Sequence, residues 1–155
     1  MSEPLAIYLN DHLMGATAGV ELFRRAALHL EEVQGLVAEI EQDRQSLLGF
    51  LEAVGATPDQ LKVALGWIGE KVSRLKLNGP LGPRPPLSDV IELEALTLGA
   101  RGKLAGWRLL LALEDPRLPA AELTELIARA ERQILLLDRL RVERGVAVLS
   151  GAPAS

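Results

Sequence analysis

The chain has 155 residues, a formal net charge of -4 from 17 basic and 21 acidic side chains, and no cysteine. This length fits one domain with its own core, and the lack of cysteine excludes disulfides and thiolate metal sites. The charge gives no basic footprint for nucleic acid, so we expect no nucleic-acid partner. No apolar run reaches the roughly 20 residues of a membrane span, and the first residues do not resemble a signal peptide. The sequence therefore predicts a soluble, cytoplasmic protein without a membrane partner.

The local pattern predicts an all-α fold, because helix-forming residues dominate, aromatic residues make up 3%, and no long segment alternates with period two. The first predicted helix covers about 5–28 and the second about 32–54, since the apolar stripe changes phase between them. Gly55 is predicted to cap the end of the second helix. The stripes comprise Leu5, Leu9, His12, Ala16, Gly19 or Val20, Phe23 and Ala27 in the first helix, and Val33, Val37, Ile40, Leu47, Leu51 and Val54 in the second.

The later elements complete a bundle. They are a short crossover helix at about 58–76, a third helix at about 88–114 and a fourth at about 120–144. Ser88 is predicted to be the N-cap of the third helix. Short links within each pair of helices and a long segment between the pairs predict two antiparallel hairpins joined by a crossover. We expect one domain over 1–148, followed by a flexible tail at 149–155.

Three segments, 29–56, 92–101 and 125–140, carry a resemblance to a known superfamily, and in 92–101 acidic, apolar and small residues alternate. In this pattern and in its layout, the chain resembles the ferritin-like superfamily, most of all its small bacterial stress-associated members. The resemblance implies a ferritin-like four-helix bundle. It also implies iron-dependent oxidase or metal-handling activity wherever a member keeps the di-iron centre of the superfamily.

The di-iron ligands of that superfamily are missing. The centre needs a Glu from each of two helices and a Glu-x-x-His motif from each of the other two. This chain has only two histidines, and the residues three positions before His12 and His29 are Leu9 and Ala26. Function depends on sites and not on folds, so the sequence predicts neither a cofactor nor a catalytic residue.

Eight polar side chains on or beside the apolar stripes form a predicted core polar cluster. They are Asp11, His12, Asp43, Arg44, Glu94, Arg101, Glu131 and Asp138. The first interpretation is ion pairing, in which Arg44 and Arg101 neutralise the buried carboxylates. The alternatives are a divalent-metal site and simple surface exposure through an error in the helical phase. The metal site would use Asp11, His12, Glu94 and Glu131 to bind iron or manganese.

Three functions follow from these observations. The first is a non-catalytic bundle with a structural or protein-interaction role, which could self-associate through the outer apolar positions of the first and third helices. The second is the metal-binding bundle with oxidase or metal-handling activity. The third is binding of an apolar ligand between the hairpins, where small residues face one another across the first and third helices, although these would equally permit tight packing. The small residues are Gly15, Ala16, Ala18, Gly19, Gly99, Ala100 and Gly102.

Two further side-chain types have a plain structural interpretation. Trp67 and Trp107 are predicted to be core or interface anchors. The basic residues Arg101, Lys103 and Arg108 alternate with acidic neighbours, and this pattern is typical of a solvated helix surface.

Overall fold

The computed structural model describes residues 3–58 and 84–151, and within them it contains four helices and no strand. The helices are α1 (Glu3–Ala26), α2 (Glu31–Ala53), α3 (Pro86–Ala112) and α4 (Ala120–Leu149). The all-α prediction is therefore confirmed for this part of the chain. The predicted crossover helix at 58–76, with Trp67, lies outside the described residues except for Pro58. None of the four helices is long and apolar enough to cross a membrane.

The turn between α1 and α2 forms without glycine or proline. The backbone N–H of Leu30 donates to the carbonyl of Ala26 at 2.8 Å, and the Gln34 side chain donates to the carbonyl of Ala27 at 3.1 Å. These bonds satisfy carbonyl groups that a helix end leaves unpaired. The side chain of Leu30 is 1% exposed, so burial of this side chain anchors the turn in the core. The predicted phase change at this place is confirmed.

Three helix ends can be compared with the sequence. Gly55 follows α2 with a φ of +74°, which confirms its predicted role at the helix end. The predicted N-cap at Ser88 is wrong, because α3 begins at Pro86 after the extended residue Pro85. Proline is favoured at the first helical position, where its missing N–H would be unpaired anyway. The last helix continues past the predicted end at 144 to Leu149.

The core lies among the apolar faces of the helices, with α1 packed on α2, α3 packed on α4, and α1 packed on α3. Trp107 is 2% exposed, and its ring meets Phe50 edge-on at a centroid distance of 6.0 Å. Its predicted role as a core anchor is therefore confirmed. Leu13 and Leu36 are also buried, although neither belonged to the predicted stripes.

Ion pairs connect the surfaces of neighbouring helices. Between α1 and α2, Arg24 Nη2 lies 2.5 Å from Glu41 Oε1. Between α3 and α4, Arg108 Nη2 lies 2.8 Å from Glu131 Oε1, and Arg101 pairs with Asp138. In each of these pairs the arginine is exposed, so each pair contributes no more than about 1 kcal/mol.

Candidate binding groove

A groove of about 360 Å³ lies between α1 and α3. Its small lining residues are Gly15, Ala16, Ala18 and Gly19 of α1 and Ala95, Gly99, Ala100, Gly102 and Gly106 of α3. Larger apolar side chains also line it, and these are Leu22, Phe23, Ile40, Leu47, Leu96, Trp107 and Leu110. Gly15, Gly99 and Gly102 are exposed, so the groove opens to solvent. All seven small residues that the sequence predicted to face one another line this one groove.

Beside these glycines the space between α1 and α3 is open, so here the glycines do not serve close helix contact. A Cβ atom added at Gly15, Gly19, Gly99 or Gly102 would have no neighbouring atom within 4 Å. Tight helix packing through glycine would instead bring atoms of the facing helix into that range. Of the two uses that the sequence left open for these residues, the structure therefore shows the open groove.

Gly106 is the exception among the groove glycines. A Cβ atom at this position would lie 2.6 Å from Cε1 of His12, well inside van der Waals contact. The imidazole of His12 therefore fills the space beside Gly106, and α1 and α3 contact each other there. The same ring packs on Tyr8, with 4.5 Å between the ring centroids and an interplanar angle of 55°.

The His12 imidazole is half-buried in the wall of the groove. Burial lowers the pKa of His12 below the usual 6.5, because it disfavours the charged form, and the nearby charge of Asp11 opposes this shift only in part. His12 is therefore mainly neutral at neutral pH. A neutral imidazole presents one hydrogen-bond donor and one acceptor.

A buried ion pair also lines the groove. Asp43 of α2 is 2% exposed, and its Oδ2 accepts a hydrogen bond from Lys103 Nζ of α3 at 2.5 Å. The second oxygen, Oδ1, accepts from Nε of Arg129 of α4 at 2.8 Å. The Asp43 carboxylate thus connects three of the four helices at one level.

Two further residues extend this network. Lys103 Nζ also donates to Gln133 Oε1 at 2.6 Å, and Gln133 Nε2 donates to Glu39 Oε2 at 2.9 Å. The Gln133 side chain is 1% exposed, so both ends of its amide are satisfied inside the core. When all of its charged groups are ionised, the network contains two cations and two carboxylates, so its formal charges cancel. The groups are Lys103, Arg129, Asp43 and Glu39.

Burial also acts on the Lys103 ammonium, whose side chain is 14% exposed. Burial lowers the pKa of Lys103, and the charge and hydrogen bond of Asp43 oppose that shift. The sequence predicted a solvated surface position for Lys103, and this prediction is wrong. The ammonium reaches into the core because the pair with Asp43 compensates for the loss of water.

The predicted core polar cluster is only partly assembled. Three of its eight members line the groove, namely Asp11, His12 and Asp43, and of all eight only Asp43 is buried. The core positions predicted for Asp11, Glu94, Arg101 and Glu131 are wrong, since all four side chains are exposed. The physical reason is helical phase, because one position along a helix turns a side chain by about 100° and moves it from the core edge to solvent.

The predicted counter-charges need correction as well. Arg44 is half-buried and donates from Nε to the Thr17 hydroxyl at 3.0 Å, so it does not neutralise Asp43. Arg101 pairs with the half-buried Asp138 on the surface. The cations that compensate Asp43 are Lys103 and Arg129.

The four residues of the alternative metal site do not come together. Asp11 and His12 line the groove, Glu131 pairs with Arg108, and Glu94 is exposed elsewhere on α3. Within residues 3–58 and 84–151, no group of three or more His, Asp or Glu side chains is placed to hold a metal ion. The described residues therefore offer no ligand set for iron or manganese.

Sequence reasoning missed Lys103, Arg129 and Gln133, although a signal for two of them was present. Lys103 lies three residues after the buried Ala100 and four before Trp107. Gln133 has the same spacing between Ala130 and Leu137. A residue at that spacing occupies a core position of its helix, so two complementary polar residues there indicate a buried pair.

No protein-family model, no curated protein and no solved structure matches this chain.

Proposed function

We propose that this protein is a non-catalytic, ferritin-like bundle of two antiparallel hairpins that acts by binding. The order of the contacts supports the antiparallel arrangement, because Arg24 of α1 meets Glu41 of α2 while the earlier Thr17 meets the later Arg44. The polar side chains of the groove support a binding role. They are held in a charge-balanced network, and the described residues form no metal-ligand cluster.

The groove between α1 and α3 carries the proposal. Sites for small molecules are typically concave, mainly apolar and at least about 300 Å³ in volume, with a few polar groups that fix orientation. This groove has a volume of about 360 Å³, apolar walls and a short set of polar groups. We therefore assign it to a small, largely apolar molecule that carries one hydrogen-bond acceptor.

Lys103 provides the reason for that acceptor. An ammonium group has three N–H donors. Asp43 and Gln133 take two of them in the network described above, and Lys103 lines the groove. The third N–H would pair with a carbonyl, hydroxyl or sulfonate oxygen of the ligand. The neutral His12 ring offers a second polar contact in the same wall.

The test uses 8-anilinonaphthalene-1-sulfonate, an apolar fluorophore with one anionic group. It would be titrated into a Trp67→Phe variant, in which Trp107 is the only tryptophan, because the chain has two. We expect saturable binding at one site, with quenching of Trp107 as the dye fills the groove. Failure of the wild-type groove to bind this probe, or binding without any change at Trp107, would contradict the proposal.

A matched pair of variants identifies the site. Gly99→Phe would fill the groove, whereas Gly35→Phe would place the same side chain on the exposed face of α2, where a Cβ atom also meets no neighbour. We expect Gly99→Phe to weaken binding by at least about tenfold, which corresponds to about 1.4 kcal/mol. Gly35→Phe should bind as the parent chain does. Equal affinities in the two variants would place the dye outside the groove.

A further inference from the structure

The outer face of α3 carries an apolar stripe along its full length. Its positions follow one another at steps of three or four residues, which places them on one side of the helix. They are Leu87, Ile91, Ala95, Leu98, Gly102, Ala105, Leu109 and Leu113. All eight are exposed, and Leu98 at the middle is 71% exposed. In a water-soluble chain, a continuous exposed apolar face of this kind marks an interaction surface.

The outer stripe is symmetric about Ala100. Its members form four pairs at equal distances from that residue, namely Leu87 with Leu113 at 13 residues, Ile91 with Leu109 at nine, Ala95 with Ala105 at five, and Leu98 with Gly102 at two. When two copies of α3 run in opposite directions, each residue of a pair therefore faces the other residue of that pair on the second copy. Large side chains would meet large ones at the ends, and small ones would meet near the centre.

We infer that a second copy of this chain covers the outer stripe, with the two α3 helices antiparallel about a two-fold axis beside Ala100. A two-fold interface must be complementary to itself, and the symmetric spacing meets this condition. Leu98 of each copy would project over Gly102 of the other. A Cβ atom at Gly102 has no neighbour within 4 Å in the single chain, so the space above it is open to such a side chain.

The charges beside the stripe support the same arrangement. Glu94, Arg101 and Arg108 follow one another at steps of seven residues along the side of α3 that faces α4. Glu94 has no ion-pair partner among the described side chains. In the antiparallel dimer, Glu94 of one copy would lie close to Arg108 of the other, which also pairs with Glu131 of its own chain. At the two-fold axis, the Arg101 side chains of the two copies would lie near each other, and the pair with Asp138 neutralises each of them.

This inference does not require the proposed ligand. Ala95 and Gly102 belong both to the outer stripe and to the groove, but Leu98 does not line the groove, so a change at Leu98 tests the dimer without altering the groove wall. Leu135 on α4 gives a matched control, because it is 72% exposed and lies outside the stripe. Dye binding in the Leu98→Lys variant with loss of the dimer would support the inference. It would leave the proposed groove function standing on its own test.

The first experiment is sedimentation equilibrium of the full chain over a dilution series. We expect a monomer–dimer equilibrium whose dissociation constant rises by at least about tenfold in Leu98→Lys and stays unchanged in Leu135→Lys. A wild-type monomer at every concentration would overturn the inference. A monomer that lost thermal stability in Leu98→Lys but not in Leu135→Lys would show that the stripe is covered within a single chain.

A second experiment tests the register directly, and it is clean because the chain has no cysteine. Leu98→Cys and Gly102→Cys would be oxidised separately and as a mixture. In the antiparallel dimer, residue 98 faces residue 102 of the second copy, so we expect the disulfide-linked dimer mainly in the mixture. Efficient cross-linking of Leu98→Cys alone would indicate parallel helices or a two-fold axis beside residue 98, and no cross-linking in the mixture would exclude the proposed register. Either result would overturn the inference.

Discussion

Asp43 Oδ2 lies 2.5 Å from Lys103 Nζ, so the wall of the groove contains a buried ion pair at a place where two helices otherwise present apolar side chains. Asp43 lies three residues after Ile40 and four before Leu47, both of which are buried. The carboxylate is held in the core because Arg129 provides a second cation at its other oxygen. One carboxylate therefore fixes the relative positions of α2, α3 and α4.

Replacing Asp43 by leucine should destabilise the fold by about 3 kcal/mol, because it leaves the two partly buried cations, Lys103 and Arg129, without their counter-charge. The free energy of unfolding, measured by urea titration, checks this. Combining Asp43→Leu with Lys103→Met should recover part of the loss, since a buried pair can be replaced by apolar side chains at little cost. If the loss of unfolding free energy in the double variant equals the sum of the losses in Asp43→Leu alone and Lys103→Met alone, the two side chains are not coupled in this way.

The control for that measurement is Arg101→Leu. A core position for Arg101 would predict a loss of several kcal/mol, but its side chain is 55% exposed and its partner is Asp138. We therefore expect a loss below about 1 kcal/mol. A loss equal to that of Asp43→Leu would show that the surface pair carries as much stability as the buried one.

Gly106→Ala should destabilise the protein, whereas Gly35→Ala should stabilise it. Alanine is favoured over glycine inside a helix by up to about 1 kcal/mol, and a Cβ atom at Gly35 meets no neighbour. At Gly106 the new methyl group collides with the His12 ring, and such overpacking typically costs about 1 to 3 kcal/mol. Thermal unfolding of both variants gives the comparison.

Removal of the imidazole completes that test. In a His12→Ala background, the methyl group of Gly106→Ala has room, so the substitution should become stabilising, as it is at Gly35. A loss of stability that persists without the His12 ring would show that another group limits the space beside Gly106.

The helices could be predicted from sequence because their apolar periodicity is strong, and the turn at 27–30 shows this well. It contains neither glycine nor proline, and only the phase change between the stripes indicated it. The end of α4 could not be predicted in the same way. The sequence predicted the end of the fourth helix at about 144, but the helix continues to Leu149 and Gly151 follows it with a φ of +68°.

The site was less predictable, because a buried polar network depends on distances between helices that no single-helix pattern contains. The small residues that face across α1 and α3 were correctly placed opposite one another, but the sequence left a groove and tight packing equally open. The choice of counter-charges failed, since Arg44 is adjacent to Asp43 in sequence but points to Thr17. The true partners, Lys103 and Arg129, lie on other helices. Adjacency in sequence therefore favoured the wrong cation.

Asp115 in the link between α3 and α4 should titrate at an unusually low pH. Its carboxylate accepts hydrogen bonds from the guanidinium and the backbone N–H of Arg117, and these lower the pKa of Asp115 from 3.8 to about 2. Arg117→Ala should raise this pKa towards 3.8, measured as the carboxyl ¹³C shift in an NMR titration. Arg139→Ala, which removes an exposed arginine of α4, should leave it unchanged. A wild-type pKa near 3.8 would contradict the bonds to Arg117.

His12 should make the protein less stable as the pH falls from about 8 to 6. Its pKa in the folded state is below the unfolded value of 6.5, because burial disfavours the imidazolium. The unfolded chain therefore binds more protons in this range, so the free energy of unfolding rises with pH and falls as the pH drops through 6.5. Unfolding midpoints at both pH values check this in the wild type and in a His12→Gln variant, which should lose much of the dependence. His29→Gln replaces the other histidine, which is exposed, and should keep it. The same pH dependence in all three proteins would assign it to groups other than His12.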